Sequence, residues 1–202
     1  MGFLFPPERC IARVSAKNLA SARGRHGYRE AVETWDAITS RRNVREFSDS
    51  PITPEHLDRI LEAGRRSPSS QNWQPWDFIA ITQREQLAEL SGVWRGAGHV
   101  AGSAATIALV GPQLDSEGHR ARLSYDFGQA TMSIMIAAAD LGIGSCHSAV
   151  GDQERARQIL GFPADKDCAY MISLGYPAAR PLAPIKRPDR RPFDEVVHRG
   201  RW

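Results

Sequence analysis

The stretch from about Glu117 to Leu141 constrains this 202-residue chain more than any other. Its pattern predicts one long helix, on the order of 35 Å by helical rise. The second half, Ala130 to Ala139, is apolar on nearly all sides. A helix of that kind is buried all round. In a chain this small, that points to burial against another subunit. Gly142 and Gly144 end the helix.

Shorter elements fall on either side. Tyr28 to Ser40 spaces Ala31, Trp35 and Ile38 as a helix does, with Val32 alongside. Thr53 is placed to cap a helix that begins at Pro54, runs to about Arg66 and turns Leu57, Ile60 and Leu61 inward. Asp77 to Thr82, Ala104 to Val110, Ser145 to Val150 and Cys168 to Leu174 have the character of strands. Gln83 to Ser91 is a short helix, and Asp152 caps another that runs to Leu160. The glycine-rich segment 92–102 is expected to be mobile. Beyond Gly175 come Pro177, Pro181, Pro184, Pro188 and Pro192, an extended arm. Strands alternating with helices argue a three-layer α+β or α/β sandwich.

The length suits one domain, or one domain with an appendage. Residues 1–27 hold five cations against Glu8 and are expected to be a basic, disordered tail; residues 28–202 are the folded domain. Net charge is +3, without the dense basic face or reader motif of a nucleic-acid binder. No run of eighteen apolar residues argues for a membrane span. Cys10, Cys146 and Cys168 are widely spaced and lack a Cys-x-x-Cys, which argues against zinc and suits reduced thiols in the cytoplasm.

Two polar clusters carry the chemistry. Arg41, Arg42 and Arg45 fall within five residues, and guanidinium groups match phosphate oxygens in paired hydrogen bonds. The second cluster is Ser67-Pro68-Ser69-Ser70-Gln71-Asn72-Trp73-Gln74-Pro75-Trp76. Pro68 and Pro75 stiffen it. Its hydroxyls and amides offer uncharged donors and acceptors to a planar, neutral ring. Trp73 and Trp76 suit a core or a subunit interface better than stacking. Cys146 and His147 are adjacent on a strand and face opposite ways, so they form no dyad. His99 suits a surface position better than a contact to substrate.

The order Arg-Arg-small-x-Arg-x-Phe, then Pro-Ser-Ser-x-Asn-x-Gln-Pro-Trp, resembles the FMN-dependent nitroreductase family. The resemblance continues through Leu141-Gly142-Ile143-Gly144-Ser145, Leu174-Gly175-Tyr176-Pro177 and Arg190-Arg191-Pro192. It implies a mixed central sheet flanked by helices, in an intertwined homodimer. It implies FMN as cofactor, NADH or NADPH as electron donor, and a small electron-poor acceptor such as a nitroaromatic, quinone or enone. By resemblance, Arg41, Arg190 and the weaker candidate Arg187 hold the phosphate, and Arg42 belongs to the same cofactor-binding set. Asn43, where the family usually has serine, touches the ribityl chain, and Arg45 lies near the pyrimidine edge. Pro68, Ser69, Ser70 and Asn72 reach the flavin from the partner subunit. Ser148, Ala149 and Val150 form the segment whose backbone N–H approaches flavin N5. No side chain is nominated as acid or base, because the cofactor carries the chemistry. A deazaflavin, a dehalogenase or flavin-fragmenting activity, and a flavin-binding module without turnover stay open as alternatives.

Overall fold

Strand β2 (Ala105–Pro112) is buried along almost its whole length and divides the core in two. Ala105, Ile107 and Leu109 turn to one face, and Ala108 and Val110 to the other. This is the two-residue alternation of a pleated strand covered on both sides. The computed structural model describes residues 33–202. The remaining elements are α1 (Thr34–Ser40), α2 (Pro54–Arg65), β1 (Asp77–Ile81), α3 (Arg84–Leu90), α4 (Glu117–Asp140), β3 (Gly144–Ala149), α5 (Gln153–Leu160), β4 (Lys166–Gly175) and α6 (Phe193–Val196).

The strands form one sheet in the order β1-β2-β4-β3, with every neighbour antiparallel. On one face, α2 and α4 bring Ile60, Phe127, Ala130, Ile134 and Ala138 onto Ile107, Leu109, Ile172 and Leu174. On the other, α3 and α5 bring Leu87, Leu90 and Ala156 onto Ala108, Val110, Cys168 and Met171. The result is the helix–sheet–helix arrangement expected of an α+β chain. The mixed character of the sheet is confined to one parallel bridge, Asn43 to Ser145. A register shift sets Tyr170 opposite Leu109 but Cys168 opposite Val110. The extra residue, Ala169, therefore shares a face with Tyr170, and Cys168 returns to the opposite core.

Local signals place the helix starts. Thr53 Oγ1 accepts the His56 N–H at 3.3 Å, and Asp152 Oδ1 accepts the Arg155 N–H at 2.9 Å, as the sequence predicts. Ser116 does the same for α4 through the His119 N–H at 3.2 Å.

Three expectations change. Helix α1 begins at Thr34; Ala31, Val32 and the basic tail lie outside the described residues. Its inward residues are the small Ala37 and Ser40, while Trp35 and Ile38 are 71% and 44% exposed. Segment 92–102 is folded into the core: Val93, Ala97 and Val100 are buried, and Gly98–Val100 forms a 3-10 turn. The second half of α4 is buried largely by its own chain, through Ala130, Ile134, Met135, Ala138 and Ala139. The first turns of α4 and Arg122 and Ser124 are exposed, and with them a stripe at three- and four-residue spacing, Ala121, Tyr125, Gly128 and Met132. Among the described residues no helix is long and apolar enough to cross a membrane.

Burial pushes the Cys168 thiol up to about 12, with the neighbouring Asp167 charge adding to the shift. The folded state holds this thiol neutral, while in the unfolded chain it ionises near its ordinary value of 9.0. Its contribution to stability is thus intact below pH 9 and falls as pH rises towards 12, by up to about 1.4 kcal/mol per pH unit. Alkaline denaturation curves of wild type and Cys168→Ala are expected to converge over that window; a gap independent of pH contradicts the assignment.

Candidate functional site

Two glycines stand opposite each other where β3 begins and β4 ends, Gly144 against Gly175. A Cβ at Gly144 would lie 2.7 Å from Val44 Cγ2, and one at Gly175 would lie 2.7 Å from Phe47 Cδ1. The missing side chains let segment 42–48 lie against the end of the sheet. Val44 is buried there. Its N–H donates to Ser145 O at 2.9 Å, the Ser48 N–H donates to Tyr176 O at 2.8 Å, and the Ala178 N–H donates to Glu46 O at 3.0 Å. With Val44 turned inward, its neighbours Asn43 and Arg45 are exposed. The segment and the arm after β4 enclose a cleft of about 320 Å³ lined by Arg42, Asn43, Val44, Arg45, Glu46, Pro177 and Ala179.

The arginines do different things. Arg41 caps the end of α1, its N–H donating to Ala37 O at 3.1 Å. Arg42 Nη2 donates to Arg180 O at 2.8 Å and so ties the C-terminal arm to this end of the molecule. Burial, then the Arg180 charge, lowers the pKa of Arg42. The arm is tied a second time where the Ile185 N–H donates to Thr39 O at 3.1 Å, which brings Arg187 to the same neighbourhood. Arg190 donates to the adjacent Asp189 O at 2.5 Å. Arg187 and Arg190 are exposed. Among the described residues, no carboxylate pairs with Arg41, Arg42, Arg45 or Arg187. Among the described residues Glu46 is the one carboxylate lining the cleft, and it is unpaired with these arginines, so the neighbouring cations leave a net positive charge that favours an anion.

Beyond Ser145 the edge of β3 is open. A strand residue turns its N–H and C=O to one side, and the next residue turns them to the other. Because Ser145 O faces Val44, the main-chain groups of His147 and Ala149 also point away from β4. No strand lies beside them among the described residues. Ser148 turns its side chain inward; its buried Oγ has no partner. Val150 is half-buried and packs on the α3–α5 core.

His99 is buried, contrary to the surface position expected. Its Nδ1 lies 2.8 Å from Ser173 Oγ. Burial, then the charge of Arg45, then His147, lowers its pKa, so the ring is held neutral. Cys146 is buried and His147 exposed, as alternation requires. Burial raises the pKa of Cys146. No group of His, Cys, Asp and Glu able to hold a metal occurs among the described residues.

The serine-rich loop lies elsewhere. Ser67 Oγ donates to Ser133 Oγ at 2.8 Å, and the Ser70 N–H donates to both carboxylate oxygens of Asp126 at 3.0 and 3.1 Å. Ser69 Oγ accepts the Gln74 N–H at 2.8 Å, and Gln74 Nε2 donates to Asn72 O at 3.2 Å. Pro68 and Asn72 are exposed. Trp76 is buried against the α4 core and Trp73 is largely exposed. From Asp126 to the end of α4 is 14 residues, or about 20 Å of helix. The loop is thus bonded to the middle of α4, at Asp126 and Ser133, while the arginine segment is bonded to β3 beyond the C-terminal end of that helix. Sequence reasoning missed Asp126, Ser173 and the steric role of the glycine pair.

Comparison with known proteins follows this geometry. The model of the nitroreductase family matches residues 38–97 and 92–176. A protein of Archaeoglobus fulgidus, provisionally named NADH dehydrogenase/NAD(P)H nitroreductase, is 33% identical over 84% of this chain and 99% of its own. An NADPH-flavin oxidoreductase of Vibrio harveyi is 25% identical over 84% of this chain and 74% of its own. A crystal structure from Parabacteroides distasonis, provisionally named like the first, has a TM-score of 0.69 and 26% identity; the match covers 82% of this chain and 96% of that one.

Two outcomes test the site as built. Gly144→Ala is expected to cost about 1–3 kcal/mol through overpacking against Val44; an unchanged melting temperature contradicts the close approach. In a proton NMR titration, the His99 imidazole is expected to protonate below the ordinary 6.5, and stability is lost as pH falls through that range while the unfolded ring takes up its proton first. An ordinary or raised midpoint contradicts its burial beside Arg45.

Proposed function

Because the chain belongs to the nitroreductase family, we propose that two copies of it bind FMN in shared sites and use NADH or NADPH to reduce small electron-poor acceptors. Nitroaromatics, quinones and enones are the acceptor classes. The observation that carries this reading is the net-positive arginine segment bonded to the start of an open strand edge. It joins an anion site to a row of free main-chain donors.

Each residue then has a task. Arg41, with Arg187 and Arg190 from the arm, neutralises the phosphate. Arg42 contributes charge and fixes the arm through Arg180. Asn43, exposed beside the bridge to Ser145, offers its amide to the ribityl chain. Arg45 places a fixed cation where negative charge on a reduced ring is stabilised. The Ala149 N–H is a main-chain donor to the ring, and the unpartnered Ser148 Oγ and half-buried Val150 stand beside it. FMN held by these residues would supply two-electron redox chemistry between the nicotinamide and the acceptor.

Pro68, Ser69, Ser70 and Asn72 complete the site from the second copy. The loop's bonds to Asp126 and Ser133 on α4, apart from the arginine segment's bonds to β3, support this. The open stripe of Ala121, Tyr125, Gly128 and Met132, together with exposed Trp35 and Ile38, supplies an apolar face for that copy. The exposed Phe193, Val196 and Trp202 of the arm suit the same interface. The buried free thiols Cys146 and Cys168 fit a cytoplasmic setting.

Anaerobic NADH or NADPH is expected to bleach the visible flavin absorbance of the purified protein, and a nitroaromatic or quinone to restore it. A flavin that binds but is not bleached would indicate a binding module without turnover. The shared site has its own test. Arg41→Ala/Arg45→Ala and Ser69→Ala/Asn72→Ala are each expected to weaken FMN binding at least tenfold, from about 1.5 kcal/mol or more of lost charged or paired contacts. Mixed dimers of the two variants are expected to recover one tight site of the two. Mixed dimers that recover none place the whole site within one copy.

A further inference from the structure

We infer that Asp126 is a positioning residue: its buried carboxylate holds the Ser67–Trp76 loop in the one shape that offers Ser69, Ser70 and Asn72 to a ligand. This rests on the proposed shared flavin site. Asp126 is fully buried on α4 and pairs with no cation among the described residues. It accepts the Ser70 N–H through both oxygens, the Ser70 Oγ–H at 3.2 Å and Gln129 Nε2 at 3.4 Å. These hydrogen bonds stand in for the water that burial removes from the carboxyl group.

The loop that it holds is strained. Gln71, Asn72 and Gln74 have φ of 55°, 56° and 52°, the left-handed region that side chains other than glycine rarely enter. Such residues persist where their surroundings over-determine them. Here the ties sit on both sides of the strain, Asp126 to Ser70 before it and Ser69 Oγ to the Gln74 N–H at its end.

Asp126 also sets the polarity of the loop. The Ser70 hydroxyl donates to Asp126 Oδ1, so its hydrogen turns inward and its oxygen is left as an outward acceptor. Ser69 Oγ accepts from Gln74 and has its hydrogen free to donate. The two serines therefore present an acceptor beside a donor. That suits a ring edge carrying a donor beside an acceptor, as an imide does.

The experiment compares wild type with Asp126→Asn, which keeps the shape but adds an inward donor. In the flavin-free protein, amide exchange at Ser70, Asn72, Trp73 and Gln74 is expected to rise at least tenfold, while β2 and β4 stay within twofold. FMN affinity is expected to fall at least tenfold. Gln71→Gly, which removes the left-handed penalty at one position, is expected to restore part of that affinity in the Asp126→Asn background. A merely structural defect would not be rescued that way. Loop exchange and FMN affinity both within twofold of wild type overturn the inference. If Asp126→Asn does not fold, Ser70→Ala takes its place: severalfold faster loop exchange supports the inference and unchanged exchange overturns it. A wild type that binds no FMN sinks the functional reading, and the exchange measurement still judges Asp126.

Discussion

The contact on which the rest depends is the seating of Val44 and Phe47 on two glycines. Gly144 and Gly175 are register partners at one end of the β3–β4 ladder. With no Cβ on either, segment 42–48 approaches the sheet closely enough for its main chain to bond to Ser145 and Tyr176. Once Val44 is inside, alternation turns Asn43 and Arg45 out. Once Ser145 O is occupied by the Val44 N–H, the same alternation leaves the N–H groups of His147 and Ala149 free. A single steric allowance thus places the cations and the donors of the site.

Much of this was legible in the chain. The strands and two helix caps were readable because their causes are local: β-branched runs between turn residues, and a hydroxyl or carboxylate just before a helix. The arginine segment and the serine-rich loop were readable because charge and proline are conspicuous. Leu141 to Ser145 and Leu174 to Pro177 were readable as motifs but not as a steric device, since neither shows that the two glycines meet. Asp126 was not readable, because its partner Ser70 lies 56 residues away. His99 was misjudged for the same reason, its partner Ser173 being 74 residues distant.

Two misreadings have a common physical origin. Apolar spacing announces that a face will be covered, not which molecule covers it. Trp35 and Ile38 obey the helical period yet face outward, while the all-round apolar half of α4 is covered mostly by its own sheet and by α2. In segment 92–102, glycine content suggested mobility, but Val93, Ala97 and Val100 repeat at three- and four-residue intervals and pack inward. Packing of apolar groups outweighed the backbone freedom of their neighbours.

The labour is divided between two regions: a charged anchor bonded to the start of β3, just beyond the end of α4, and a neutral, strained loop bonded to the middle of α4 at Asp126 and Ser133. A second copy is the simplest way to bring them together. Native mass spectrometry of the purified protein tests that claim most directly. The account predicts a dimer carrying two FMN molecules, with apoprotein and flavin lost together when the dimer is dissociated. A flavin-loaded monomer, or a dimer that takes up no flavin when offered it, would contradict it.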